Sequence, residues 1–487
     1  MRRLVACALF LVLGPFNLTA SFLRPLPQVS RPKQLVIIHV TVIDATGAPA
    51  RADMTVTITG DRITAIDKRA KAGISPDAQV LNGSGQYLIP GLWDMHVHAL
   101  SAGRHVFLFP IFIANGITGI RDMGTTLPLE QVSQLRSETA NGKILGPRVV
   151  AAGPIVDGPK PIWPFSLAVA TETEAREAVD MLKREGADFV KVYNLVPRPA
   201  YFAIADEARK QGLPFVGHVP ISVTAAEASD AGQKSIEHLN GLLLACSTDE
   251  AEIMNTRQQS PANFDRVKMA TLHRAQARQL LKTFNAEKEA ALFQHFLRNG
   301  TWQTPTLVAL RMLAYWDDAS LTSDPRLKYV PLFIKREWTP GDDFRFHDRS
   351  VVDVTNARLT YQKSLELTGA MRRAGVKILA GTDFGNPYIL PGFSLHDELG
   401  LLVKAGLTPM EALQSATRNP AEFLGTLDQL GTVETGKIAD LVLLRANPLT
   451  NIANTQKIEA VIIGGRLLDQ SELRKMLASA ATISGPQ

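Results

Sequence analysis

Three features of the 487-residue sequence predict an α/β chain: a (β/α)8 TIM barrel with a small β-sandwich domain built from both chain ends. Between residues 89 and 429, short apolar strands alternate with amphipathic helices, the pattern of a parallel sheet. Eight such strands can be counted, the number a barrel needs. On either side, residues 33–88 and 430–470 show β-branched, alternating segments separated by turn residues.

The first twenty residues have the layout of a secretory signal: Arg2 and Arg3, an apolar run over residues 4–13, then Thr19, Ala20 and Ser21. The run is short for a membrane span. The mature chain is therefore expected to be exported, periplasmic or secreted, with no span of its own. Cys7 would leave with the signal, so Cys246 would remain without an intrachain partner. A Pro-rich linker (22–32) leads to expected strands at 35–43, 54–58 and 63–66, with Thr59-Gly60-Asp61 as a turn. Barrel strands are expected at 87–96, 116–123, 148–155, 188–193, 214–219, 235–239, 302–308 and 377–382. Of the helices between them, 172–185 carries Ala175, Ala178, Val179 and Leu182 as one apolar stripe, and 200–211 is another. Two long intervals, about 240–300 and 309–375, read as insertions on the catalytic face that wall or cover the substrate. Segments 439–444 and 460–463, followed by Gly464-Gly465, return to the N-terminal strands.

At 45% hydrophobic and 20% charged residues, the composition is that of a globular protein with a large core. The formal charge of +5 is dispersed, with no basic run and no interleaved aromatics, so no nucleic-acid partner is expected.

In a parallel barrel the reacting groups sit at the C-terminal ends of strands. Strand one closes residues 88–98 as Leu-Ile-Pro-Gly-Leu-Trp-Asp-Met-His-Val-His. Residues i and i+2 of a strand share a side, so His96 and His98 can aim at one point, and neutral imidazole is the commonest metal ligand. Strand four ends in Lys191 and Tyr193, strand five in His218, strand six in Glu237-His238, and strand eight in Gly381-Thr382-Asp383. Each has a plain reading alone: histidines on a strand, a buried ion pair for Lys191, a helix N-cap for Asp383. Their coincidence at strand ends favours a metal site. Tyr193 could bind a substrate carbonyl or carboxylate, or simply pack. Arg121, closing strand two, could attract an acidic substrate group or pair with Asp122. Trp163 is placed in the pocket wall. His396, beside Asp397 and Glu398, is expected to support the site rather than react. His39, His105, His273, His295 and His347 are expected to be surface or core residues.

This set of motifs resembles the amidohydrolase superfamily, and within it the imidazolonepropionase and Xaa-Pro dipeptidase (prolidase)-like branch. The resemblance is carried by Pro-Gly-Leu-Trp-Asp-Met-His-Val-His (90–98), by Lys191, His218, His238 and Asp383, and by Gly-Thr-Val-Glu-Thr-Gly-Lys-Ile-Ala-Asp-Leu-Val-Leu-Leu (431–444). It covers residues 35–467. It implies two divalent metal ions, zinc foremost: one on His96, His98 and Asp383, the other on His218 and His238. Lys191 would bridge them as a CO₂-derived carbamate. It further implies cleavage of a C–N bond, amide or peptide, by a hydroxide bridging the metals, with Asp383 as general acid and base. Gly385 would let the chain turn tightly beneath the site. Small peptides or N-acyl amino acids are the expected substrates. Cyclic amides and lactones or other esters are the alternatives, and a catalytically silent binding protein is the remaining one. Dipeptidases of that branch commonly carry a second histidine soon after the strand-five ligand. Gly217-His218-Val219-Pro220 has none, so their recognition of a substrate carboxylate is not carried over. A homo-oligomer stays open.

Overall fold

The computed structural model describes residues 34–68, 74–101, 103–258, 266–336, 338, 343–346 and 349–483. The expected signal, the Pro-rich linker and His347 lie outside the described residues.

Alternating β-branched residues build the first strands, β1 (Gln34–Val42), β2 (Arg51–Thr59), β3 (Arg62–Lys68), β4 (Gln79–Asn82) and β5 (Tyr87–Pro90). β1, β2 and β3 form an antiparallel meander, while β4 and β5 lie parallel to β1. The single strand expected over 87–96 is in fact two. β5 belongs to this first sheet, whereas β6 (Leu92–Val97) pairs in parallel with β7 (Ile117–Asp122). The chain changes sheets at Gly91, where a Cβ would lie 2.2 Å from Thr118 Oγ1. Only a residue without a side chain fits that crossing.

The parallel part consists of β6, β7 and β8 (Arg148–Ala151), followed by β9 (Val156–Asp157), β10 (Leu167–Ala168), β11 (Val190–Val192), β12 (Phe215–Gly217), β13 (Ser235–Glu237) and β14 (Trp302–Thr304). The first three form one sheet; the other six form a second in the order β10-β9-β11-β12-β13-β14. Asp188 N donates to Ala151 O at the junction between β8 and β11. Residues 377–384, expected to hold the eighth strand, form no extended strand and instead make isolated parallel bridges, Gln303 to Ile378 and Val97 to Phe384. They lie between β14 and β6, with Leu379 N donating to Gln303 O and Met95 N to Ala380 O, both at 2.9 Å. The result is a TIM-barrel-like α/β domain.

Helices cover the outer faces for the reason visible in their stripes. Helix Glu172–Glu185 starts at a Thr171–Glu174 capping box, ends at a left-handed Gly186 and buries Ala175, Ala178, Val179 and Leu182. Several expected strands are shorter than their apolar runs. At 302–308 the strand stops at Thr304, because Thr306 turns into the left-handed region and helix Leu307–Ala314 begins. The first insertion folds as helices Glu250–Gln258, Arg266–Lys282 and Ala286–Asn299, and the second ends in the long helix Val351–Ala374. No helix among the described residues is long and apolar enough to cross a membrane.

β15 (Leu441–Leu444), β16 (Ile458–Ile463) and β17 (Arg466–Asp469) return to the first sheet, where β15 runs antiparallel to β5 from Leu441 opposite Pro90 to Leu444 opposite Tyr87. Strands from both chain ends join in one eight-stranded sheet, β17-β16-β15-β5-β1-β2-β3 with β4 beside β1. Its core includes Leu35, Ile37, Val56, Leu88, Leu441 and Ile462.

Because the Gly91 crossing has no room for a methyl group, Gly91→Ala is expected to cost about 1–3 kcal/mol. The loss is to be read as a lower urea midpoint at unchanged slope.

Candidate metal centre and its cavity

The two histidines of β6 meet Asp383 through backbone pairing. Asp383 N donates to His96 O and His98 N to Phe384 O, each at 2.7 Å. Asp94, on the same side of β6 as His96, locks this seam by accepting from His96 N, Thr382 N and Thr382 Oγ1. Asp383 adopts a left-handed φ of 61°, and its Oδ1 lies 3.4 Å from both His96 Nε2 and His98 Nε2. Beneath it, Gly385 (φ 123°) leaves room for His98, whose Cβ would otherwise be 2.9 Å from a side chain there.

Lys191 is buried in the middle of β11. His218 follows Gly217, whose φ of 130° and 2.3 Å approach to Val192 O exclude a side chain. His238 follows β13 in a left-handed conformation. The imidazole centroids of His96 and His238 are 4.5 Å apart, and those of His218 and His238 4.9 Å. His96, His98, His218, His238 and Asp383 therefore come from four separate stretches of chain to one floor, with the buried Lys191 close enough to act on His96 and His218 by its charge.

All four histidines are oriented alike. Nδ1 of His96 faces Glu237 Oε2 (2.9 Å), Nδ1 of His98 faces Gly124 O (3.3 Å), Nδ1 of His218 faces Asn194 Oδ1 (2.8 Å) and Nδ1 of His238 faces Thr306 Oγ1 (2.6 Å). A carboxylate and a carbonyl accept only, so His96, His98 and His218 carry the proton on Nδ1 and leave Nε2 as a lone-pair donor, while the Thr306 hydroxyl beside His238 can donate or accept. His96 Nε2 and Lys191 Nζ are both buried without a hydrogen-bond partner. The donor atoms of His96, His98 and Asp383 all lie within 4.8 Å of one another. Ligands about 2.1 Å from a tetrahedral ion sit about 3.4 Å apart, the separation between Asp383 Oδ1 and both nitrogens. The residues fit a divalent ion.

Electrostatics act unevenly on the donors: against burial, Asp383 and Asp122 hold His98 above the usual imidazole range. Burial, with Lys191 and His238 nearby, holds His96 well below the usual imidazole range. Burial pulls Lys191 down to about 8 against Glu237 and Asp383. Burial would raise Asp383, but His238, His98 and Lys191 outweigh it and keep this carboxyl low.

The floor opens into a cavity of about 640 Å³. Tyr193 and Trp163 line it as expected, with Trp163 Nε1 donating to Tyr193 Oη at 3.0 Å and the Tyr193 ring 4.0 Å from that of His218. Both insertions supply wall residues, Met269 and His273 from the first and Phe344 and Arg345 from the second.

Arg121 is a correction. Its side chain is fully buried behind the floor and does not reach the cavity. Instead it donates to Met95 O, to Ser235 Oγ and to both Glu237 oxygens at 2.9 and 3.0 Å. Nor does it pair with Asp122, which accepts from the amides of Ala99, Leu100 and Gly124. His273 is an exposed residue, as expected, and also borders the cavity. His396 is buried between Thr455 Oγ1 and Asn115 O, away from the cavity. Residues that sequence reasoning missed are those behind the histidines: Asp94, Glu237, Asn194 and Thr306. Glu237 had a usable signal, an acid immediately before a ligand-type histidine. Glu398 accepts from Leu307 N and Val308 N, capping the helix that follows Thr306.

Fold and floor together define a barrel-like enzyme scaffold with a metal-type donor set at its strand ends. A profile of the amidohydrolase family matches residues 345–468. Imidazolonepropionase of Aeromonas hydrophila is 35% identical over 83 residues, 17% of this chain and 20% of its own. Imidazolonepropionase of Pseudomonas putida is 42% identical over 78 residues, 15% of this chain and 18% of its own. The chain thus spans about a fifth of the length of these relatives. Among solved structures, a Xaa-Pro dipeptidase with bound methionine covers 90% of this chain and 100% of its own, at 21% identity and a TM-score of 0.63. Bottromycin amidohydrolase covers 94% of this chain and 92% of its own, at 22% identity and a TM-score of 0.72. Over residues 345–468 the chain matches the amidohydrolase family, and its overall fold is like that of these two solved structures.

Glu237→Gln is expected to weaken metal binding by about 10–100-fold, because His96 loses its charged orienting partner. Metal titration of the apo protein followed by mass spectrometry would read it. Burial pushes Glu398 up to about 8, well above the usual carboxylate range near 4.5. Between those values the folded chain binds more protons than the unfolded one, so this group's contribution to stability falls as pH rises. Glu398→Gln should remove up to about 1.4 kcal/mol per pH unit of that decline, seen in urea melts across the window.

Proposed function

We propose that this chain is a metal-dependent hydrolase of C–N bonds, amide or peptide, acting on small peptides or N-acyl amino acids. One observation carries the reading: four histidines, each with an oxygen on Nδ1, gather with Asp383 on the floor of one cavity, beside the buried and unpartnered Lys191 amine. The relatives named imidazolonepropionase, and the structural neighbours named Xaa-Pro dipeptidase and bottromycin amidohydrolase, support this chemistry and the branch assigned to it.

His96, His98 and Asp383 would hold one divalent ion, and His218 and His238 a second. Zinc suits such nitrogen and carboxylate donors. An ammonium would oppose these cations. As the neutral amine, Lys191 could instead add to CO₂, forming an N–C bond and releasing a proton, and the resulting carbamate would offer an anionic oxygen ligand. Its lowered pKa, about 8, supplies that neutral amine near neutral pH. When bound, such ions acidify water and polarise a carbonyl.

This chain's own residues would do the rest. Asp383, ionised at the start, accepts a proton from the attacking water and passes it to the leaving nitrogen. Tyr193, fixed by Trp163, faces the cavity beside His218 and can orient a substrate carbonyl. The apolar walls from both insertions exclude bulk water. The signal-like layout of residues 1–20 supports action outside the cytoplasm.

A hydrolysis screen of dipeptides, N-acyl amino acids, cyclic amides and lactones with zinc-loaded protein is the test. Turnover of amides is expected, with loss on chelation and recovery on adding zinc. Asp383→Asn should lower kcat by about 10²–10⁴-fold while the folded circular-dichroism spectrum is kept. Full turnover by that variant would overturn the reading.

A further inference from the structure

Beside the main cavity lies a smaller chamber of about 200 Å³. The two share Asn194, Asn240 and His273 in their walls. Asn194 is also the partner of His218 Nδ1, so the chamber begins one side chain away from a candidate metal ligand. Apolar residues such as Leu244 and Leu280 make up most of the remaining wall.

Arg257, near the end of helix Glu250–Gln258, is the exception. Its Nε and Nη2 both donate to the neutral Gln276 Oε1, at 3.2 and 2.6 Å. Among the described residues no carboxylate lies within ion-pair distance of it, and no Asp or Glu lines the chamber. A mostly buried guanidinium with no counter-charge is unfavourable, and proteins usually pair such a group. Burial pulls Arg257 down to about 10, which still leaves it charged at neutral pH. His273 borders both spaces with an accessible side chain whose ring nitrogens can hydrogen-bond a ligand. Asn240 Oδ1 accepts from Val219 N, and the Asn240 amide nitrogen has no partner among the described residues. On the main cavity Arg345 is matched by Asp343, and Arg349 donates to Leu313 O.

We propose that this chamber is the subsite for the substrate's carboxylate. The acid group of an N-acyl amino acid or short peptide sits on the open edge of Arg257, with Asn240 and His273 as hydrogen-bonding partners, and the amide to be cleaved lies over the floor of the main cavity. The proposal rests on the hydrolase reading above. It supplies a carboxylate contact where the chain lacks a second histidine after His218.

The test is calorimetry on the metal-loaded protein. The probes are N-methanesulfonyl leucine, phenylalanine and proline, whose sulfonamides resist hydrolysis, and the carboxamide of each. At least one acid should bind tenfold or more tightly than its carboxamide. Arg257→Met should reduce that preference to within twofold without weakening the carboxamide, and Arg257→Lys should keep part of it. An undiminished preference in Arg257→Met, an equal loss for acid and carboxamide, or no acid preference anywhere in the panel would overturn the proposal. So would inorganic phosphate competing at Arg257 as tightly as the best acid, which would mark a free-anion site. Turnover separates this proposal from the reading beneath it. Arg257-dependent binding without hydrolysis of any N-acyl amino acid keeps the subsite and removes the hydrolase. Hydrolysis whose KM ignores Arg257→Met does the reverse.

Discussion

The cavity floor depends on one buried seam, the join between β6 and residues 377–384. Asp94 holds it with three accepted hydrogen bonds, one from its own strand and two from Thr382. Burial pushes Asp94 up to about 7, yet the three donors meet its acceptor demand, and a satisfied buried carboxyl costs far less than an orphaned one. Because the pairing is backbone to backbone on both sides of Asp383, the carboxylate cannot shift relative to His96 and His98 without breaking the seam. The left-handed backbone of Asp383 is a local cost that this over-determined setting can absorb.

A second buried polar cluster orients His96 from behind. Glu237 takes Arg121 on both oxygens, Ser235 on one and His96 on the other. A buried ion pair is weak grounds for stability, since desolvation offsets its attraction, whereas removing one partner strands a charge at about 3–5 kcal/mol. What this pair supplies is direction: a fixed acceptor for Nδ1, and so a fixed aim for Nε2. Asn194 does the same for His218 with a neutral oxygen, and Thr306 Oγ1 meets Nδ1 of His238. Thr306 is in turn set by the helix that Glu398 caps. The floor is a shell of donors standing on a shell of acceptors.

The sequence makes the donors legible and leaves the acceptors hidden, and the reason is physical. Strand periodicity and the placement of reacting groups at strand ends are local rules, so His96, His98, Lys191, His218, His238 and Asp383 can all be picked out one by one. Orienting contacts are pairings between distant segments, and nothing local marks Thr306 as the partner of His238. Arg121 was misjudged for the same reason: its position at a strand end was visible, but its partner, Glu237 on β13, was not. Strand lengths were overestimated because His238, Thr306 and Asp383 leave the ladder through positive φ, which no non-glycine residue announces. The break at Gly91 hides inside an apolar run, since the run continues unchanged while the partner sheet does not.

Floor and walls obey different constraints. Behind the floor the polar groups are linked in buried networks, so a substitution there strands a buried donor or acceptor. The walls contributed by the insertions need only be apolar and leave space, as Met269 and Phe344 do. The amidohydrolase profile matches 345–468, which holds the seam residues 377–384 and the return through β15, β16 and β17, and leaves out the helices of the first insertion. Bottromycin amidohydrolase likewise superposes over most of the chain at 22% identity, a likeness of scaffold rather than of wall. A chain built this way can change what it recognises by exchanging residues that no buried network depends on. Arg257, held by a single glutamine oxygen and facing an otherwise apolar chamber, is the kind of wall residue such an exchange would put in place.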